Sequence, residues 1–128
     1  MKFRNFLCTY DIVFLSECWI DSSCDISIEN FVCKAVPLSK KKYKQGCGIY
    51  VMIRESISKY VTIENILSET MVWLKVSKQL TCSMEDYLLC NLYIPPQNSS
   101  FYKIYNCDLF YELESLLISY SQDYQIIF

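Results

Sequence analysis

Histidine is absent from this chain of 128 residues, and glycine occurs only twice. Without an imidazole the chain cannot form a serine–histidine or cysteine–histidine pair, a histidine general base or a histidine-bearing zinc site. The charges are close to balanced, with 12 Lys and Arg against 14 Asp and Glu. A protein that coats nucleic acid by charge alone needs a basic excess, so any nucleic-acid contact here has to be local.

The sequence also lacks an apolar run of the roughly 18 residues that a membrane helix needs. Asp11 interrupts the apolar stretch near the N-terminus, and no small-residue cleavage pattern of a secretion signal follows it. We therefore expect an intracellular chain, cytoplasmic or nuclear, without a membrane partner. The eight cysteines contain no C-x-x-C pair and mostly lie in apolar runs, so we expect buried, reduced thiols.

The hydrophobic pattern predicts a strand-rich chain with one long helix late in the sequence. A content of 52% hydrophobic residues permits one globular domain with a core. Apolar runs rich in strand formers predict strands at residues 11–17, 31–36, 47–53, 60–63, 70–76, 86–94 and 124–128, with 70–76 half-buried. Helical spacing predicts a helix within 106–120, where Asp108 suits the dipole at the start. This order of elements fits α/β or α+β layering.

Glu17 and Tyr93 stand at the ends of two of these predicted strands. Sites are commonly built at strand ends, and Mg²⁺ takes one or two carboxylates together with water and substrate phosphate, so Glu17 is a candidate ligand. Tyr93 precedes the pair Pro95 and Pro96, and its phenol can donate a hydrogen bond to a phosphate oxygen. The alternatives are a solvated strand terminus for Glu17 and a packed aromatic side chain for Tyr93.

A short basic run at residues 40–44 offers a different kind of contact. Lys42 and Lys44 flank Tyr43. A basic run with an interleaved aromatic residue can contact nucleic-acid phosphates at several points. The alternative is a solvated loop.

Four short blocks follow one another along the chain: residues 11–19 (DIVFLSECW), 46–51 (GCGIYV), 72–75 (VWLK) and 91–99 (NLYIPPQNS). In this order they resemble the endonuclease domain of non-LTR retrotransposons, which is associated with a reverse transcriptase. That domain is a branch of the endonuclease/exonuclease/phosphatase superfamily, which also includes apurinic endonucleases and pancreatic-type deoxyribonucleases. The resemblance covers nearly the whole chain.

The resemblance implies a fold, a reaction and roles for particular residues. The implied fold is α/β, with residues 1–128 forming part of a deoxyribonuclease-I-like four-layer α/β sandwich that is truncated at both ends. The implied reaction is Mg²⁺-dependent hydrolysis of DNA phosphodiester bonds in retrotransposition. By position, Glu17 is similar to the family's metal-binding glutamate, Tyr93 to the catalytic tyrosine of the phosphate site and Asn98 to a residue of the substrate loop.

Several groups of the family are missing from this sequence. It has neither a Gly-Asp-Phe-Asn block nor a Ser-Asp-His block, Asn5 is not in the context of the family's first catalytic asparagine, and Cys18 replaces a common threonine. We therefore expect a fragment that lacks the C-terminal half of the domain, is inactive alone and has weakened or lost its affinity for DNA.

Two other hypotheses stay open. The chain could be a non-catalytic nucleic-acid-binding remnant that uses the lysine run, which predicts salt-sensitive DNA affinity that is lost when those lysines become alanine. It could also be a fragment of another phosphodiesterase of the same superfamily, such as one acting on phosphoinositides or sphingomyelin.

Overall fold

The computed structural model describes residues 2–18, 26–36, 48–67 and 70–128. The strands in these ranges are β1 Ile12–Ser16, β2 Phe31–Val36, β3 Ile49–Arg54, β4 Val61–Leu67, β5 Met71–Val76, β6 Tyr87–Leu92 and β7 Gln125–Ile127. They form two sheets, the first in the order β1–β3–β2 and the second in the order β4–β5–β6–β7. All pairs are antiparallel except β6 with β7, which is parallel.

Short helices join or flank these strands. The α-helices are α1 Lys2–Leu7, α2 Lys78–Thr81, α3 Ser100–Tyr105 and α4 Leu109–Tyr120, and a 3-10 helix runs over Glu55–Tyr60. Within the described ranges, no helix is long and apolar enough to cross a membrane. The protein is thus a mixed α/β structure with two sheets and several helices.

One apolar cluster lies between the two sheets. Its buried members are Val36, Ile49, Val51, Ile53, Val61, Val72, Leu74 and Val76. In β3 and β5 these are alternate residues, as expected because successive side chains of a strand point to opposite faces. Burial of this apolar surface is what holds the two sheets face to face.

The outer face of each sheet packs against a helix. Tyr50 and Met52 of β3 form a cluster with Leu7 of α1. Trp73 of β5 lies in a cluster that includes Leu113 and other residues of α4. The central strands β3 and β5 are therefore buried on both faces, and the prediction of a half-buried strand at 70–76 is wrong because α4 covers its second face.

The other strand predictions are confirmed to within a few residues, whereas α1, α2, α3 and the 3-10 helix were not predicted. None of them exceeds six residues, which is too few to show helical periodicity. The signal for α3 was Ser99, whose hydroxyl accepts a hydrogen bond from the Phe101 N–H at 3.2 Å. Phe101 is fully buried and stacks on Tyr105 with ring centroids 4.5 Å apart.

The cysteines only partly follow the expectation of buried thiols. Cys90 is buried, and burial raises the pKa of its thiol to about 12. Cys8 and Cys82 are exposed, which corrects the expectation; Cys82 is the left-handed residue that ends α2, with φ 54, and such helix ends lie at the surface. Cys24 and Cys47 lie outside the described residues.

Asp108 begins α4 as its N-cap, as its position in the sequence indicated. Its Oδ1 accepts hydrogen bonds from the backbone N–H groups of Phe110 at 3.0 Å and Tyr111 at 3.2 Å. Replacing Asp108 with alanine removes both acceptors, and we expect the free energy of unfolding to fall by about 1 kcal/mol. Urea denaturation followed by circular dichroism measures this loss. The exposed Asp123 is the control, because Asp123→Ala should change it by less than about 0.5 kcal/mol; equal losses would contradict the capping role.

Candidate functional site

The two sheets meet through polar side chains at one end of β1 and β6. Along these strands Phe14 and Leu89 point into the apolar cluster between the sheets. Two residues further along each strand the same face carries Ser16 and Asn91. The Asn91 Nδ2 group donates to Ser16 Oγ at 3.4 Å, so a hydrogen bond replaces apolar packing here.

Glu17, which follows Ser16, and Tyr93, two residues after Asn91, are in direct contact. The Tyr93 hydroxyl donates a hydrogen bond of 2.5 Å to Glu17 Oε1, although the two residues are 76 positions apart in the sequence. The backbone N–H of Tyr93 donates to the Thr70 carbonyl at 2.8 Å and so extends the pairing of β6 with β5. The structure therefore brings together the two residues that the resemblance predicts to be a metal ligand and a catalytic tyrosine.

The backbone of Glu17 directs its side chain toward β6. If the alternation of β1 continued, Glu17 would follow Val13 and Leu15 onto the outer face of the first sheet, where both pack. Glu17 instead has φ 57, a left-handed conformation that ends the alternation and costs a non-glycine residue roughly 1–2 kcal/mol. Backbone strain of this kind is concentrated at functional sites.

Gly48 supports this turn from the neighbouring strand. The Cys18 N–H donates to the Gly48 carbonyl at 3.2 Å, which holds the chain immediately after Glu17. Gly48 is buried and has φ 127, a conformation that only glycine adopts without strain. The close approach expected near the two glycines is therefore present at Gly48, whereas Gly46 lies outside the described residues.

The exposed Glu17 carboxylate is the candidate metal ligand of this site. A carboxylate has about four acceptor positions, so the bond from Tyr93 leaves others open to a ligand. Among the described residues no group of three or more Cys, Asp or Glu side chains is placed to hold a metal ion. Mg²⁺ takes one or two carboxylates together with waters, so Glu17 stays a candidate ligand and not a formed metal site.

Of the remaining predicted site residues, the structure describes Asn98. Asn98 is exposed and lies in the turn before α3. Lys42 and Lys44 lie outside the described residues, so their roles stay predictions. Trp19, from the first block of the resemblance, also falls there.

A polar cleft of about 520 Å³ lies at the opposite end of the second sheet. Lys75 Nζ and Asp86 Oδ2 lie 3.5 Å apart in its lining. The pKa of Asp86 is lowered, first by the hydrogen bond from the Lys78 backbone N–H and then by Lys75. None of the residues that the resemblance singles out lines this cleft, so the candidate site lies at Glu17 and Tyr93 instead.

Sequence reasoning missed Ser16 and Asn91, although a signal was present in their strands. Both are polar where the period-two pattern calls for an apolar residue facing the other sheet.

Comparison with protein-family models, curated proteins and solved structures gives no match to this chain. The geometry at Glu17 and Tyr93 is therefore the basis for a functional proposal.

Proposed function

We propose that this chain corresponds to the N-terminal part of a Mg²⁺-dependent endonuclease domain of the endonuclease/exonuclease/phosphatase superfamily, of the kind found in non-LTR retrotransposons. In this proposal Glu17 holds the metal ion, Tyr93 binds a phosphate oxygen of DNA, and the chain does not hydrolyse DNA by itself. The observation that carries the proposal is the hydrogen bond between Tyr93 and Glu17.

This contact supports the proposal because sequence proximity does not explain it. The resemblance selected Glu17 from a block at the end of β1 and Tyr93 from a block after β6. Those strands belong to different sheets, and the two side chains nevertheless meet at 2.5 Å. A metal ligand and a tyrosine that act on one phosphate have to lie close together, as these two residues do.

The order of the packed layers also supports the proposal. Apolar clusters join α1 to the first sheet, the first sheet to the second, and the second sheet to α4. A helix, two sheets and a further helix in this order make the four-layer arrangement that the deoxyribonuclease-I-like sandwich has. We propose this finer fold together with the function.

The residues on this site support binding better than catalysis. Bound Mg²⁺ would supply charge neutralisation and a Lewis acid at the phosphate. Glu17 would anchor that ion, and the phenol of Tyr93 would orient a phosphate oxygen by hydrogen bonding. Hydrolysis also needs a general base for the attacking water, and the chain has no histidine and no Gly-Asp-Phe-Asn block to provide one.

Metal binding tests the proposal directly. We expect Mn²⁺, used as a paramagnetic probe for the Mg²⁺ site, to broaden the amide NMR signals of residues 16–18 and of Tyr93 before other signals. Glu17→Gln removes the charge but keeps the size of the side chain, and it should weaken Mn²⁺ binding by at least about tenfold. Glu29→Gln is the matched control, since Glu29 is an exposed carboxylate in the turn before β2.

Equal Mn²⁺ affinity in the wild-type chain and in Glu17→Gln would refute the metal site. Equal broadening of the amide signals near all exposed carboxylates would also refute it. A second assay addresses catalysis: the purified chain should not convert supercoiled plasmid to nicked circles in Mg²⁺. Nicking that Glu17→Ala abolishes would overturn the claim of inactivity while supporting the site.

The assignment to an endonuclease domain has its own test. We expect the encoding template beyond codon 128 to contain a Gly-Asp-Phe-Asn-like block and, further on, a Ser-Asp-His block in one of its frames. Unrelated sequence there would leave Glu17 and Tyr93 as a metal-binding pair without an endonuclease around them.

A further inference from the structure

Asn91 occupies a position in β6 that the packing of the strand does not explain. The residues on its face, Tyr87 and Leu89, pack in the apolar cluster between the sheets. Asn91 is half-buried on that same face. An apolar side chain there would add buried apolar surface, whereas an amide has to satisfy its hydrogen bonds.

The partner of Asn91 lies next to the proposed metal ligand. Its Nδ2 group donates to Ser16 Oγ at 3.4 Å, and Ser16 is the last residue of β1. The next residue is Glu17, where the backbone turns left-handed with φ 57. The hydrogen bond thus ties β6 to β1 at the point where the strained turn begins.

Two successive hydrogen bonds therefore join the end of β1 to the end of β6. Asn91 bonds to Ser16, and two residues later Tyr93 bonds to Glu17. Side chains two residues apart on a strand lie on one face, with Cα atoms about 7 Å apart. The first bond fixes the end of β1 so that Glu17 can reach the second.

We propose that Asn91 is a positioning residue of this site, which acts through Ser16 to keep Glu17 left-handed and its carboxylate against the Tyr93 hydroxyl. The metal-binding consequence rests on the proposed function, whereas the effect on the backbone of Glu17 does not. Asn91 itself does not touch the metal ion in this proposal.

The backbone effect has a direct NMR signature. An intraresidue contact between the amide proton and Hα gives a strong nuclear Overhauser effect only when φ is positive, so Glu17 should show one in the wild-type chain. Asn91→Leu suits the apolar face but cannot bond to Ser16, and it should abolish that strong signal. Asn91→Asp should retain it, because the Ser16 hydroxyl can then act as the donor.

Metal affinity provides the second measurement. Asn91→Leu should weaken Mn²⁺ binding by about fivefold, the effect of losing one ordinary hydrogen bond, with no fall in the melting temperature. Ser16→Ala removes the same bond from the exposed side and should likewise abolish the strong Glu17 signal and weaken Mn²⁺ binding, so the test does not depend on one variant. Gln122→Leu, in the exposed turn after α4, is the control for a new leucine.

The two measurements separate the inference from the proposed function. A strong Glu17 signal that persists in both Asn91→Leu and Ser16→Ala overturns the positioning role, whatever the metal does. If the wild-type chain does not bind Mn²⁺, the proposed function fails, and the Glu17 signal still decides the role of Asn91. Loss of that signal together with weaker Mn²⁺ binding supports both.

Discussion

Replacing Trp73 with alanine should lower the free energy of unfolding by about 3–5 kcal/mol, the largest loss that we expect from any single substitution in this chain. Small domains have total stabilities of roughly 5–15 kcal/mol, so such a loss leaves a substantial unfolded population. Urea denaturation followed by far-ultraviolet circular dichroism measures the change without relying on tryptophan fluorescence.

The size of this effect follows from where Trp73 lies. Its side chain is fully buried on the outer face of β5, beneath α4. The Tyr120 ring lies 5.4 Å from the indole and the Phe128 ring 6.1 Å, both measured between centroids. Alanine would remove these contacts and leave a cavity between the second sheet and its helix.

The indole nitrogen makes Trp73→Phe a sharper test than alanine alone. Trp73 Nε1 is buried and has no hydrogen-bond partner within the described residues. An unsatisfied buried donor costs roughly 1–3 kcal/mol, so phenylalanine relieves that penalty while it fills most of the space. We expect Trp73→Phe to cost well under half of what Trp73→Ala costs.

Ile118 provides the matched control on the same layer of the structure. It is an apolar residue of α4 but is 63% exposed, so Ile118→Ala should change stability by less than about 0.5 kcal/mol. A loss below 1 kcal/mol for Trp73→Ala, or equal losses for the alanine and phenylalanine variants, would contradict this account of the packing.

The strands were predictable because the apolar residues of each run indicate a buried strand. The run at 31–36 became β2 without a change of boundary, and 124–128 contains β7. What the second sheet packs against was not predictable from local pattern: Trp73 and Met71 are buried by α4 and α3, which come later in the chain. The pattern within a strand does not show whether a later helix will cover its second face.

The candidate site was also predictable only in part. The resemblance supplied Glu17 and Tyr93, but their contact depends on the left-handed backbone at Glu17, and nothing in a glutamate's chemistry predicts φ 57. Ser16 and Asn91 were visible as polar interruptions of apolar faces. Their partnership became visible only once the two sheets were stacked, because the pairing joins strands from different sheets.

Substitution of Arg54 should have the second largest effect on stability, because its guanidinium binds the segment between α1 and β1 to the end of β3. Its Nε donates to Asp11 Oδ1 at 2.7 Å, and its Nη2 donates to the carbonyls of Cys8 at 2.6 Å and Tyr10 at 2.8 Å. Its guanidinium also lies 5.5 Å from the centroid of the Phe31 ring. A helix as short as α1 is not stable by itself, so these contacts and the packing of its last turn hold it in place.

We expect Arg54→Ala to lower the free energy of unfolding by about 2–3 kcal/mol, because hydrogen bonds to a charged group are lost from two backbone carbonyls at once. Asp11→Ala removes only the exposed ion pair and should cost less than about 1 kcal/mol. Arg54→Lys keeps the charge but not the fork of donors, so it should resemble alanine more than the wild type. Urea denaturation of the three variants ranks them, and hydrogen exchange of the α1 amides should accelerate with Arg54→Ala but not with Asp11→Ala. Equal losses for Arg54→Ala and Asp11→Ala would mean that the ion pair, rather than the backbone contacts, fastens α1.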